Sequence, residues 1–162
     1  MRFFLKLIIA MAITSALFSQ SSTSQSNTGI NSFAKAKKLL HKVVYADVLT
    51  RKTFYCGCSY DSRKKVDHES CTFKHRKNFK RAQRVEWEHV VPAHAFGGSY
   101  PEWINGHPDC VTKKGKPFKG RKCASKMNKL FQFMQADMYN LVPSIGEVNG
   151  DRSNFSYGIV EG

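Results

Sequence analysis

Acidic residues are scarce in this sequence: 12 Asp+Glu stand against 26 Lys+Arg in 162 residues, a formal charge of +14. A chain so poor in negative charge calls for a polyanionic partner, with nucleic acid and an anionic membrane surface ahead of an acidic protein. Long hydrophobic runs are also missing. The longest, Leu7 to Phe18, is interrupted by Thr14 and Ser15 and falls short of the roughly 18 apolar residues of a membrane span. Paired cysteine knuckles are absent too, since Cys56-x-Cys58 is one residue tighter than C-x2-C and no second knuckle follows, which argues against a structural zinc site. No internal repeat or second domain is apparent. Hydrophobic residues at 41% and aromatics at 12% nevertheless supply a core, so a wholly disordered polycation is excluded and one ordinary domain is expected.

The N-terminus sets the compartment. Arg2 and Lys6 precede the apolar run, and small residues follow it between Ala16 and Ser22, the pattern of a secretory signal peptide over residues 1–22. A Ser/Thr/Gln/Asn-rich stretch then reads as a flexible leader over 23–31. A periplasmic or secreted protein without membrane insertion after signal cleavage follows. In such a compartment Cys56, Cys58, Cys71, Cys110 and Cys123 read as disulfides with one thiol left over.

From Ser32, the spacing of Phe33, Ala36, Leu40, Val43 and Val44 predicts an amphipathic helix with Lys35, Lys38 and Lys42 off its apolar face. Its modest stripe suits a core-covering helix better than a membrane-surface one. Residues 51–84 hold eleven Lys/Arg interleaved with Phe54, Tyr55, Tyr60, Phe73 and Phe79, a mixture that suits either a phosphate-and-base surface or core anchors under a charged face. Val111 to Ala136 carries eight Lys/Arg and no acid, and phosphate contact is the favoured reading of that uncompensated charge. Met127, Leu130, Phe131, Met134 and Met138 follow at helical spacing and read as core.

The chemistry concentrates in Arg84 to Ala93, RVEWEHVVPA. It opens as an alternating strand, with Val85, Trp87 and His89 on one face and Glu86 and Glu88 on the other. Glu88 and His89 can therefore serve one site only if the chain bends before Pro92. Met138 to Pro143 reads as a second strand, and Ser144 to Glu147 matches a capping box that starts a helix. That helix presents Asn149 and Arg152 three apart and contains Gly146 and Gly150, a pair that signals close approach by another backbone or a ligand.

Arg84 to Ala93 together with Asp137 to Phe155, DMYNLVPSIGEVNGDRSNF, resembles the endonuclease I family of periplasmic and secreted non-specific nucleases. Phe54-Tyr55-Cys56-Gly57-Cys58 and Arg81 to Arg84 are similar as well, so the likeness covers roughly residues 32 to 158. The resemblance implies an α+β fold, a ββα-metal (His-Me finger) nuclease core with flanking helices over 32–162. It implies His89 as general base, Glu88 and Asn149 as metal ligands, and Arg121 of Gly120-Arg121-Lys122 on phosphate. The cofactor would be Mg2+ or another divalent cation such as Mn2+ or Ca2+, and the substrates DNA and RNA. Arg84, Lys113, Lys114, Lys116, Lys119, Lys122 and Arg152 are the expected nucleic-acid contacts of a monomer. Such chemistry needs these groups: a phosphodiester repels hydroxide and has a poor leaving group, so a hard cation, a neutral imidazole and an arginine each lower part of the barrier. Family members continue through further helices and cysteines, so a natural minimal form, a fragment and a C-terminally truncated product are all expected alternatives. The rival from another class is an exported cationic protein that binds nucleic acid without cutting it.

Overall fold

The computed structural model describes residues 27–158; the signal-peptide segment lies outside them. Two short strands form the centre, β1 (Val85–His89) and β2 (Leu141–Ile145), paired antiparallel from Val85 opposite Ile145 to His89 opposite Leu141. Seven short helices surround them: α1 (Phe33–Leu39), α2 (Phe79–Ala82), α3 (Ala93–Gly97), α4 (Pro101–Ile104), α5 (Arg121–Met127), α6 (Lys129–Gln135) and α7 (Gly146–Arg152). The architecture is α+β, and none of these helices is long and apolar enough to cross a membrane.

Pro143 sits inside β2 at no cost to the ladder. Its carbonyl accepts from the Phe54 amide at 2.8 Å, and because N and C=O of a strand residue face the same edge, its missing N–H lies on the side away from β1. Second-strand pairing starts at Leu141, three residues later than expected, because Asp137 caps a 3-10 turn over Met138–Asn140 through the Tyr139 amide. Consequently Ser144 belongs to β2, and the expected capping box does not form: α7 starts with no side-chain cap. Glu147 instead turns inward to accept from the amides of Arg76, Lys77 and Asn78 at 3.1, 2.7 and 2.6 Å.

Three apolar clusters hold the ribbon. Ala36 and Leu40 of the first helical segment meet Trp87, Ala136 and Leu141. Tyr60, Val66 and the Cys58–Cys71 disulfide meet Val85 and Ile145. Phe131 meets Ala93 and Ala124, next to the Cys110–Cys123 disulfide that ties α5 to the preceding loop; Cys56 is the unpaired cysteine. Val43 and Val44 do not join this core. The segment changes from α to a π turn over Leu40–Val44, which rotates the following residues off the α-helical stripe, and Val43 is 66% exposed. The apolar row from Met127 to Met138 is likewise broken, because Asn128 leaves the helix and caps α6; Phe131 is buried and Leu130 exposed. Residues 27–31, expected in a flexible leader, are held down: Asn27 donates to the Phe133 carbonyl at 3.0 Å, and Ile30 packs on the first cluster.

Candidate active site

β1 runs regularly to His89, with no bend at Glu88. On the edge away from β2 it is met only at its start, where the Val85 amide donates to the Lys64 carbonyl at 2.9 Å; among the described residues no strand covers that edge at Glu88 and His89, and a cavity of about 100 Å³ beside its end is lined by these two together with Trp103, Arg121, Asn149 and Arg152. Side chains from both faces of the strand thus reach one space where α5 and α7 converge. The expected bend is unnecessary because an unpaired edge is open to both faces.

His89 is buried between the rings of Phe33 and Phe96. Its Nε2 lies 2.9 Å from the carbonyl of Gln135; a carbonyl can only accept, so Nε2 carries the proton and Nδ1 is left as the basic nitrogen. Burial, with help from Arg121, Arg152 and Lys37, lowers its pKa to about 4. The ring is neutral at pH 7 and able to take a proton.

Glu88 is 3% exposed, and its Oε1 receives both the Tyr55 hydroxyl at 2.9 Å and Arg152 Nη1 at 2.9 Å. Burial raises its pKa against the pull of those partners. Tyr55 stays protonated, its pKa raised by burial and by hydrogen bonds to Tyr157 and Glu88. Among the described residues, both partners use the same carboxylate oxygen, so Oε2 retains its lone pairs. Asn149 donates Nδ2 to Glu86 Oε2 at 3.2 Å, which leaves its Oδ1 as the oxygen available to the cavity. Glu86 is itself held by Arg81 and Arg84, and these outweigh burial to lower its pKa. The helix glycines serve that clamp: a Cβ at Gly146 would stand 2.7 Å from the Arg81 carbonyl, and one at Gly150 would collide with the Arg81 guanidinium.

Arg121 follows Gly120, whose φ of +73° a side chain would resist. Its guanidinium lies 5.2 Å from the Phe33 ring centre, and its Nη2 is buried without a partner. A buried guanidinium nitrogen without a partner among the described residues can receive an anion.

Of the other expected contacts, Arg152 is committed elsewhere. Beyond Glu88 it donates to the carbonyls of His89, at 2.7 Å, and Val90, so it clamps the end of β1. Arg84 is paired with Glu86. Lys113, Lys114, Lys116, Lys119 and Lys122 are exposed and do not line the cavity. Sequence reasoning missed Tyr55, Glu86 and the Gln135 carbonyl. Tyr55 lies in the FYCGC stretch, which was the available signal; a backbone carbonyl leaves none.

A hard divalent ion, implied by the family resemblance, fits this donor set. Glu88 Oε2 and Asn149 Oδ1 are both oxygens on one cavity, and its volume holds about three waters at ~30 Å³ each. No group of three His, Cys, Asp or Glu that could hold a metal occurs among the described residues, so such an ion would keep most of its shell for water and substrate.

A neutral buried imidazole, two residues with free oxygen donors and a guanidinium nitrogen without a partner among the described residues thus line one small cavity of an α+β domain. The chain belongs to the Endonuclease I family, whose model matches residues 30–162. It is 43% identical over 131 residues to an extracellular deoxyribonuclease of Aeromonas hydrophila, covering 79% of this chain and 50% of that protein. An endonuclease-1 of Buchnera aphidicola is 40% identical over 132 residues, 75% of this chain and 47% of the relative. A periplasmic deoxyribonuclease of Aeromonas hydrophila is 46% identical over 108 residues, 65% and 40% respectively. The chain spans about half the length of the curated relatives it matches.

Proposed function

We propose that this chain is an exported, metal-dependent endonuclease that hydrolyses phosphodiester bonds in DNA and RNA with little sequence preference, through a ββα-metal site. The observation that carries this reading is the convergence of Glu88, His89, Arg121 and Asn149 on one cavity with His89 neutral and its Nε2 taken by a carbonyl. The signal-like N-terminus and the extracellular and periplasmic names of the relatives support export.

In this mechanism Nδ1 of His89 accepts a proton from the attacking water. The Gln135 carbonyl holds the ring so that the accepting nitrogen faces the reaction without a tautomer change. Arg121 takes the non-bridging oxygens and stabilises the charge that builds on phosphorus. Glu88 and Asn149 would hold the divalent ion, which supplies positive charge for the phosphate and the leaving 3′ oxygen. Tyr55 and Arg152 fix the Glu88 carboxylate, and Glu86 fixes the Asn149 amide.

Plasmid nicking with magnesium, and its loss on adding EDTA, tests the activity. His89→Ala should abolish nicking while keeping DNA affinity, and magnesium should not restore it. Asn149→Ala should recover in part as magnesium is raised. A folded His89→Ala variant that nicks at the parent rate would refute the assignment, and a folded parent that binds DNA but never nicks would favour the non-cutting alternative.

A further inference from the structure

A second depression, of about 600 Å³, opens beside the cavity and shares Trp87, Arg121 and Asn149 with it. Its outer wall is α1, which contributes Phe33, Lys37 and Lys38; the opposite lip carries Lys64. Among the described residues the one carboxylate in this lining is Glu86, and Arg81 and Arg84 already neutralise it. Lys37 and Arg121 also converge on the Phe33 ring, at 4.5 and 5.2 Å from its centre. These cations have no carboxylate partner in the groove, yet they are drawn together along it.

The backbone fixes where Lys64 stands. Lys64 has φ +66°, the left-handed region that costs any residue with a Cβ and that glycine or asparagine would occupy more easily. That conformation closes the hairpin turn in which the Lys64 amide donates to the Asp61 carbonyl at 2.9 Å and Tyr60 bridges to Val66, and it sets Lys64 in the groove lining.

We infer that this groove carries the sugar-phosphate backbone next to the cleaved bond, with Lys37, Lys38 and Lys64 on successive phosphates. The inference rests on the nuclease reading and names the path of its substrate. A continuous polyanion is the ligand that fits, because the groove runs into the wall bearing Arg121 and Asn149, where the reacting phosphate would lie. A membrane surface does not fit: Ala36 of α1 and Leu40 just after it are buried in the core, with Phe33 packed against them, and the lysines line a concavity.

Salt-dependent binding tests the path. On a His89→Ala background, a fluorescent duplex is titrated by anisotropy between about 50 and 200 mM salt. Lys37→Gln/Lys38→Gln/Lys64→Gly should lower the slope of log K against log salt by about 2.7, at about 0.9 per phosphate contact. The charge-matched Lys35→Gln/Lys42→Gln/Lys80→Gln, at exposed positions outside the groove, should change it by less than about 1. Lys64→Gly alone should keep or raise the urea midpoint while lowering the slope by about 0.9, separating binding from folding. A folded groove variant with the parental slope overturns the inference, as does one that loses binding only to anionic phosphatidylglycerol vesicles. If the parent never nicks plasmid but the groove variant loses slope, the catalytic reading fails and the path stands. If the parent nicks and the slope is unmoved, the path alone fails.

Discussion

Removing the Arg152 side chain should unfold much of this protein before it alters nucleic-acid binding. The Arg152–Glu88 pair is buried, with side chains 10% and 3% exposed, so solvent screening does little to weaken it. Deleting one member of a buried pair leaves the other charge uncompensated, at a cost of about 3–5 kcal/mol. Arg152→Ala also strips the donor from the carbonyls of His89 and Val90, each worth about 1–3 kcal/mol when left buried and unmet. Against the ~5–15 kcal/mol total of an ordinary domain, that sum is most of the stability. Urea unfolding followed through Trp87, packed in the first core cluster, reads the loss. Glu88→Gln added to Arg152→Ala removes the stranded charge and should return about 1–3 kcal/mol, a coupling that a phosphate-binding arginine would not show. An Arg152→Ala protein with the parental urea midpoint and weakened DNA affinity would refute the clamp and restore the phosphate contact expected from the sequence.

Glu86→Gln should loosen the Asn149 amide and raise the magnesium needed for half-maximal nicking by about 10–100-fold; an unchanged magnesium dependence would remove Glu86 from the site. Backbone N–H groups, Lys77 foremost, hold the Glu147 pKa at about 2, below its ordinary 4.5. Its stabilisation is therefore complete above pH 4.5 and is lost as pH falls towards about 2. Glu147→Gln should flatten the fall of the urea midpoint across that window, and an unaltered acid slope would contradict it. Cys110→Ser/Cys123→Ser opens a loop whose ends are 13 residues apart and should cost about 3 kcal/mol in denaturant titrations. Dithiothreitol, which also opens Cys58–Cys71, should cost more than that, and activity surviving with five free thiols would deny the disulfides a structural role.

The strand around Trp87 was legible because alternation and the terminating Pro92 are local signals. The Ser144–Glu147 capping pattern misled because a local pattern competes with burial: Glu147 finds three amides of a distant loop, which outbid a cap on its own helix. The turn of Val43 and Val44 into solvent was illegible for a related reason, since a π turn moves the apolar stripe without altering residue spacing. In the site, Glu88, His89 and Asn149 were reached through motifs that resemble a family. Arg121 came from a looser match, and its burial against Phe33 depends on a helix almost 90 residues earlier in the chain. Arg152 could be placed on the face of α7, but a face does not reveal whether a guanidinium meets solvent or three oxygens of Glu88, His89 and Val90.

The positions of the cysteines bear on how the chain acquires its covalent bonds. Each bridge joins residues 13 apart, so in a polypeptide delivered N-terminus first, Cys58 and Cys71 can meet before Cys110 emerges. The competitor within that segment is Cys56, two positions from Cys58, and misoxidation is thereby narrowed to a choice between neighbouring sulfurs. Once the domain closes, burial pushes the Cys56 thiol up, more than Arg76 draws it down. Exchange proceeds through the thiolate, and a thiol kept protonated beside a finished bridge attacks it slowly. Folding thus slows exchange between Cys56 and the bridge beside it, which favours retention of the native pairing.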